Sequence, residues 1–393
     1  MLQRDMQRHF VCMRIFFKFI YKYSCLFLDF YVCLGFSRGG KEGVVLIRLD
    51  AIGDFIIWLD SAKEFRQIYP NEKITLIANS AWSDLASSAP YWDEVWSINI
   101  TKLTQNPIYR WRILRKIRRK NFKIAIQPTF SRAIMYGDSI IRATRSENRI
   151  GSMGDMFNIS LNDKNISDRW YTKLLPASAE PMMELMRNTE FMRNLSKKNI
   201  SCALQKWSSS ESLRDGLQVR DGYAILFPGA SWVGRRWPRE KFSEIARWIH
   251  AEYGWKIVLC GAHTDFELCE EITRMCGVPC LNFAGHTTLI ELFELIRNSN
   301  LLISNETSAI HMAVAVNTPS ICILGGGHFG RFAPYPDDLV GLKPLIALSK
   351  MTCFGCNWAC NQDHEKNNSV PCIYDISVEQ VIKLVSQSSD LIH

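Results

Sequence analysis

The sequence predicts an α/β protein made of two doubly wound parallel sheets in tandem. Three observations predict it. Short, uninterrupted apolar runs recur along the chain, amphipathic stretches of helical period separate them, and the alternation restarts after a polar break near residue 206. The 393 residues, 47% of them hydrophobic, give room for about two domains of ~150 residues, each with its own core.

VVLIRL (44–49) is an apolar run broken only by Arg48, as expected of a strand covered on both faces. In the helix that follows, Phe55, Ile56, Leu59, Ala62, Phe65 and Ile68 form the apolar stripe and Pro70 ends it. KITLIAN (73–79) is a second strand, DLASSA a short helix and EVWSI (94–98) a third strand. A basic helix over 108–120 precedes FKIAIQP, the fourth. Strands separated by helices imply parallel pairing. Residues 206–222, polar and without apolar periodicity, read as a linker. YAILFP (223–228), KIVLC (256–260), NLLIS (300–304) and SICIL (320–324) then supply the strands of a second sheet. Helices begin near Arg239, Phe266, Leu289 and Thr307, and a last one runs from Val378 to Val385 behind Ser377 as N-cap. The expected organisation is 1–40, a basic aromatic helix; 43–205, a first domain; 206–222, the linker; 223–350, a second domain; and 351–393, a Cys-rich segment with the terminal helix. Neither half carries G-x-G-x-x-G after its first strand, which argues against a dinucleotide oxidoreductase.

The first 40 residues are densely aromatic and aliphatic. Arg14, Lys18 and Lys22 recur every four residues and Asp29 extends that polar stripe, so the helix suits a membrane surface. Its longest uncharged run, Phe30 to Ser37, is shorter than the ~18 residues of a spanning helix. A true span and docking on the protein itself are the alternatives. Thirteen cysteines and no cleavable leader fit a reducing compartment, hence a cytoplasmic protein peripheral on the inner face of the membrane. The net charge of +8 favours anionic partners. The basic residues near 110–120 read as a solvated face or a patch for acceptor phosphates, with no nucleic-acid partner expected.

Open α/β sheets bind ligands at the carboxyl ends of their strands, so chemistry is sought there. Asp50 and Asp54 flank Gly53 in the first such loop. One acid could cap the helix; the other could act as a general base. In FPGASWVGRRWPREKF (227–242), Arg235 and Arg236, with Ser231 nearby, could clamp a diphosphate or stand solvated. In SNETSAIHMAVAVNTP (304–319), Glu306 could accept from ribose hydroxyls or serve as an ordinary loop acid. The helix start at Thr307 and Ser308 could hold phosphate, and His311 could touch that phosphate or merely pack. Cys353, Cys356, Cys360 and Cys372, spaced C-x2-C-x3-C-x11-C, could form a structural zinc site, a cluster or redox site, or remain reduced thiols.

Together IRLDAIGD, PGASW with RRWP, AGHTTLIEL, NETSAIHMA and the IYDIS ending resemble glycosyltransferase family 9, the ADP-heptose:lipopolysaccharide heptosyltransferase family, from about Val44 through Pro336. The resemblance implies a GT-B fold, two Rossmann-like domains facing a cleft, here with an N-terminal amphipathic helix. It implies inverting, metal-independent transfer from a nucleotide-diphosphate sugar to a glycolipid or polysaccharide acceptor. It gives Asp54 the role of general base, with Asp50 and Gly53 supporting. Arg235 stands where the family commonly has lysine and Glu306 where it has aspartate. Thr307 and His311 are retained, and Ser308 and Ala309 replace glycine and proline. The donor loop over Gly325 and Gly326 carries Gly327 and His328 in place of a Thr-Asp pair. The alternatives are a transferase using another nucleotide-sugar and a polysaccharide or protein acceptor, and a non-catalytic sugar-nucleotide-binding protein.

Overall fold

The computed structural model describes residues 13, 20–35, 41–208, 212–365 and 368–388; Arg14 and Lys18 of the expected basic stripe lie outside them. Two compact units divide the chain. The first comprises residues 1–51, 62–178 and 190–200, the second 52–61, 179–189 and 201–393.

The chain opens with a helix over residues 20–34 (α1). It continues through β1 (Glu42–Arg48), α2 (Ile52–Ile68), β2 (Ile74–Asn79), α3 (Ser83–Ser87), β3 (Glu94–Ile98), α4 (Ile100–Gln105), α5 (Pro107–Lys120) and β4 (Phe122–Gln127). A single π-turn at Ile134–Asp138 leads into α6 (Ser139–Thr144), β5 (Asn148–Ser152), α7 (Leu161–Asp168), β6 (Lys173–Leu175) and α8 (Glu184–Ser196). Six parallel strands form the first sheet in the order β3-β2-β1-β4-β5-β6. Its register is fixed by pairs such as Leu46 with Leu76 and with Ile126. Val44, Val45, Leu46 and Ile47 are all buried, which is the reason that strand reads as an unbroken apolar run.

The second sheet repeats this plan. Its elements are β7 (Tyr223–Phe227), α9 (Arg239–Tyr253), β8 (Lys256–Leu259), α10 (Phe266–Cys276), β9 (Cys280–Asn282), α11 (Leu289–Arg297), β10 (Leu301–Asn305), α12 (Ser308–Val316), β11 (Ser320–Ile323), β12 (Leu345–Ala347), α13 (Pro371–Tyr374) and α14 (Val378–Ser388). The strand order is β12-β11-β10-β7-β8-β9, again all parallel. Read from the first strand of each half, both sheets have the doubly wound 3-2-1-4-5-6 arrangement, with one switch point between β1 and β4 and another between β7 and β10. Phe242, Ile245 and Ile249 of α9 bury one stripe against Leu226, Ile257 and Ile303. Ser377 does cap α14, its Oγ accepting from the amide of Gln380 at 3.2 Å.

Two expectations need correction. The stripe of α1 that carries Lys22 and Asp29 faces protein. Asp29 is buried and paired bidentately with the buried Arg110 of α5, at 2.9 Å from Nε and 2.5 Å from Nη2, and Lys22 pairs with Asp163. An arginine buried in α5 requires a carboxylate, so α1 turns Lys22 and Asp29 toward the protein together with Cys25, Leu26, Val32 and Cys33. It leaves Phe27, Leu28, Phe30, Tyr31 and Leu34 exposed, so that its polar stripe is not the solvent-facing one expected. The start of the linker is packed as well. Trp207 is buried and stacks on Phe293 at 5.3 Å, and just ahead of the linker Gln205 is completely enclosed, bonding the His311 carbonyl and the Tyr335 hydroxyl.

Candidate functional site

The first unit builds its switch point from Arg48, Asp50 and Thr129. Arg48, buried at the end of β1, lies 2.7 Å from Asp50 Oδ2, and the Thr129 hydroxyl, from the segment after β4, donates to the same oxygen at 3.0 Å. The Asn79 amide and the Trp82 indole N–H both donate to the Asp50 carbonyl. Asp50 therefore stands two residues ahead of the helix with its carboxylate committed to tying two loops together. It does not cap α2: the N-cap is Ala51, with no side-chain cap.

Gly53 lies inside the first turn of α2 in ordinary helical backbone. A Cβ there would lie 3.3 Å from His311 Cδ2 and 3.7 Å from the Ser308 Cα. The missing side chain thus allows the first turn of α2 to lie against the first turn of α12, two segments that belong to the same unit. The sequence places Gly53 in a strand-to-helix loop, whereas the structure sets it inside α2 and uses it for helix-to-helix approach. Asp54, the next residue, is half-buried and is the acid in the first turn of α2. Two helix N-termini meet here, each with unsatisfied amides and a positive dipole end.

At the switch point of the second sheet, Asn305 at the end of β10 fastens the loop after β7. Its amide donates to the Pro228 carbonyl at 2.7 Å and its oxygen accepts from the Trp237 amide at 2.9 Å. Arg235, so placed, reaches across the switch point: Nη2 donates to the Glu306 carbonyl at 2.8 Å and lies 3.4 Å from Glu306 Oε2, while Nη1 approaches Ser231 Oγ at 3.3 Å. Glu306 is buried, its Oε1 has no hydrogen-bond partner among the described residues, and burial raises its carboxyl to about 7 in spite of Arg235. Thr307 is the N-cap of α12, accepting from the Ala309 amide, and Ser308 begins the helix. His311 is enclosed in that helix with Nδ1 2.8 Å from the Tyr335 hydroxyl. Burial lowers its pKa to about 3, so the ring is neutral near pH 7 and can meet a ligand only as a hydrogen-bonding group. Arg236 departs from the expected diphosphate clamp: its Nη2 is bound to Asp265 at 3.0 Å, which leaves Arg235 as the guanidinium beside α12.

The glycine-rich loop is roofed by the Cys-rich segment. Side chains added at Gly325 and Gly327 would strike Trp358, and one at Gly326 would strike Phe354. His328 Nε2 lies 2.8 Å from Asn357 Oδ1, and the Arg235 guanidinium sits 4.8 Å over the Trp358 ring. The zinc option for the cysteines finds no support. Among the described residues no three His, Cys, Asp or Glu side chains are grouped to hold a metal. Cys353, Cys356, Cys360 and Cys372 are free thiols. Cys372 is turned beneath the loop, where its sulfur accepts from the Gly326 amide at 3.4 Å, and burial raises its pKa.

A family model for glycosyltransferase family 9 (heptosyltransferase) matches residues 110–358, more than half of the chain. The chain belongs to this family. As a family-9 member it is a glycosyltransferase. It is 24% identical over 299 residues to lipopolysaccharide heptosyltransferase 3 of Escherichia coli (strain K12), covering 73% of this chain and 84% of that protein. Its fold matches the family-9 glycosyltransferase of Veillonella parvula DSM 2008, with TM-score 0.65, 17% identity, and coverage of 88% and 97% of the two chains. It also matches E. coli heptosyltransferase WaaC solved with ADP-2-deoxy-2-fluoro heptose, with TM-score 0.62, 15% identity, and coverage of 88% and 99%. The architecture is therefore GT-B, two Rossmann-like parallel-sheet domains. The region matched by the family model contains Arg235, Glu306, Thr307, His311 and the glycine loop; Asp50 and Asp54 precede it.

Sequence reading missed Thr129, Asn305, Asp265 and Trp358. Arg48 signalled the first, since an arginine inside a buried strand demands a carboxylate and that carboxylate in turn attracts further donors. Trp358 gave no local signal, because its role depends on a segment folding back over a loop some thirty residues earlier.

Proposed function

We propose that this family-9 chain transfers a heptose from ADP-heptose to a lipopolysaccharide core or related glycolipid acceptor at the inner face of the cytoplasmic membrane. The transfer inverts the anomeric centre and uses no divalent ion. The observation that carries this reading is the approach of the first turn of α2, bearing Asp54, to the N-terminus of α12, with Arg235 and Glu306 alongside. The ADP-sugar analogue bound by the E. coli relative and the lipopolysaccharide named for the sequence relative support the choice of donor and acceptor.

In this mechanism Asp54 takes the proton of the acceptor hydroxyl as its oxygen attacks the anomeric carbon from the face opposite the diphosphate. One carbon–oxygen bond forms, the bond to the diphosphate breaks, and the proton stays on the carboxylate. Arg235 and the amides near Thr307 and Ser308 carry the charge that develops on the leaving ADP. The buried Glu306 carboxyl receives nucleotide hydroxyls, and neutral His311 contributes one ring nitrogen.

Asp54→Asn tests the assignment. Turnover is expected to fall ~10²–10⁴-fold while ADP affinity, measured by titration calorimetry, stays within about twofold of wild type. Unchanged turnover would remove Asp54 from the mechanism. The aromatic roof over the glycine loop favours a second reading, in which Trp358 and His328 select a different nucleotide-sugar. A donor screen showing turnover with another nucleotide-sugar and none with ADP-heptose would establish it.

A further inference from the structure

The helix over 20–34 precedes the first strand of the GT-B fold and is docked by the buried Asp29–Arg110 pair, by Arg142 donating to the Leu26 carbonyl at 3.0 Å, and by Lys22 and Tyr23 on Asp163. Docked this way, it turns Phe27, Leu28, Phe30, Tyr31 and Leu34 to solvent, with Phe27, Tyr31 and Leu34 exposed by 61%, 56% and 59%. No acid interrupts this face, because Asp29 is inside.

Helix α5 lies beside it in the same unit. Leu28 and Trp111 line one shallow recess, and Trp111 also lines the adjoining depression formed by Arg112, Arg115, Lys116 and Arg119. The Arg115 guanidinium sits 4.7 Å over the Trp111 ring. Among the described residues no salt bridge joins these four cations to an acidic group. Four cations on one helix face repel each other unless an anionic surface meets them. An apolar, aromatic stripe bordered by such a row is what an anionic bilayer interface accepts: rings and aliphatic chains enter the headgroup boundary while arginine and lysine meet phosphate.

We propose that the outer face of α1 and the basic face of α5 form one membrane-docking surface for an anionic phospholipid bilayer. The lipid contact is thus divided: α1 supplies apolar insertion and α5 supplies charge, with the Asp29–Arg110 pair fixing the two in register. This deepens the proposed glycolipid-acceptor reading but is measured without turnover.

The test uses the purified full chain in co-sedimentation with phosphatidylcholine vesicles, with and without phosphatidylglycerol, none containing acceptor. Wild type is expected to bind the anionic vesicles, lose binding with added salt, and ignore the neutral ones. Arg112→Gln/Arg115→Gln/Arg119→Gln should weaken partitioning on the order of 100-fold. Phe27→Gln/Tyr31→Gln/Leu34→Gln should weaken it at least about tenfold and leave wild-type salt sensitivity in the residual binding. Both variants replace exposed side chains, so unchanged melting curves are expected, and the α1 variant should also retain transfer to a detergent-dispersed acceptor. The proposal is overturned if neither variant alters vesicle binding, or if wild type fails to bind anionic vesicles. In the latter case, concentration-dependent dimerisation abolished by the α1 variant would assign the face to a second copy, and salt-sensitive binding to a nucleic-acid duplex would assign the α5 row to that partner. Vesicle binding without any transfer activity would leave this surface standing and overturn the proposed reaction instead.

Discussion

Glu306 is a buried carboxyl with Arg235 3.4 Å from one oxygen and, among the described residues, no hydrogen-bond partner on the other. Desolvation outweighs that attraction and raises the group from 4.5 to about 7. Because the folded-state value lies above the unfolded one, the associated stability is complete below pH 4.5 and is lost as pH rises through about 7. Glu306→Gln is neutral at every pH. Its melting temperature is therefore expected to exceed wild type above pH ~7 and to converge with it in acid; parallel curves across that range would refute the assignment. The burial follows from sequence: Glu306 comes directly after β10, between Asn305, which holds the neighbouring loop, and Thr307, which caps α12. The sequence marks it as a candidate ribose contact or an ordinary loop acid. Its raised pKa was not, since that depends on how completely the loop after β7 covers it.

At the scale of elements, the sequence announced most strands and helices because each buried strand must be apolar along its whole length while each covering helix is apolar on one stripe. EVWSI was placed residue for residue as β3, and the starts of α9, α10 and α11 were placed at Arg239, Phe266 and Leu289. The short edge strands β6, β9 and β12 were not legible; with three residues each and partial exposure, they lack the apolar run that marks a central strand. Gly53 shows the same limit at a helix crossing. Its neighbours in sequence suggest a loop, but its absent side chain serves the distant helix α12. Gly53→Ala places one methyl 3.3 Å from His311 and should be accommodated by a shift of a few tenths of an ångström. Gly53→Val adds two methyl groups beyond that already tight Cβ, and overpacking of this kind costs about 1–3 kcal/mol. The expected outcome is near-native melting and activity for alanine, and a lowered melting temperature with a larger loss of turnover for valine. Equal behaviour of the two would show that the first turns of α2 and α12 do not depend on this contact.

For the whole molecule, the same strand order appears twice, yet the two units stabilise their surroundings differently. The second carries a large apolar cluster extended by the C-terminal residues Ile373, Ile376, Val381 and Val385. The first is completed at its other end by α1, whose Val32 joins the cluster of β1, α5 and α6 while Asp29 closes on Arg110. That carboxylate receives two guanidinium nitrogens, and Arg110 also donates to the Met135 carbonyl at 2.8 Å and the Ser139 hydroxyl at 2.7 Å. A guanidinium so enclosed has been stripped of water, and its partner's removal leaves a buried charge without compensation. Breaking such a pair from one side costs about 3–5 kcal/mol, whereas replacing both members with apolar groups of similar volume is close to neutral. Asp29→Ala and Arg110→Ala should each therefore lower the first denaturant midpoint strongly. Asp29→Leu combined with Arg110→Met should restore most of the loss. Because the chain has two cores, unfolding need not be two-state, and the effect is expected in one transition while the other keeps its midpoint. If the single variants unfolded with wild-type midpoints, the charge pair would be incidental, and α1 would be held by its apolar contacts together with the Arg142–Leu26 and Lys22–Asp163 bonds.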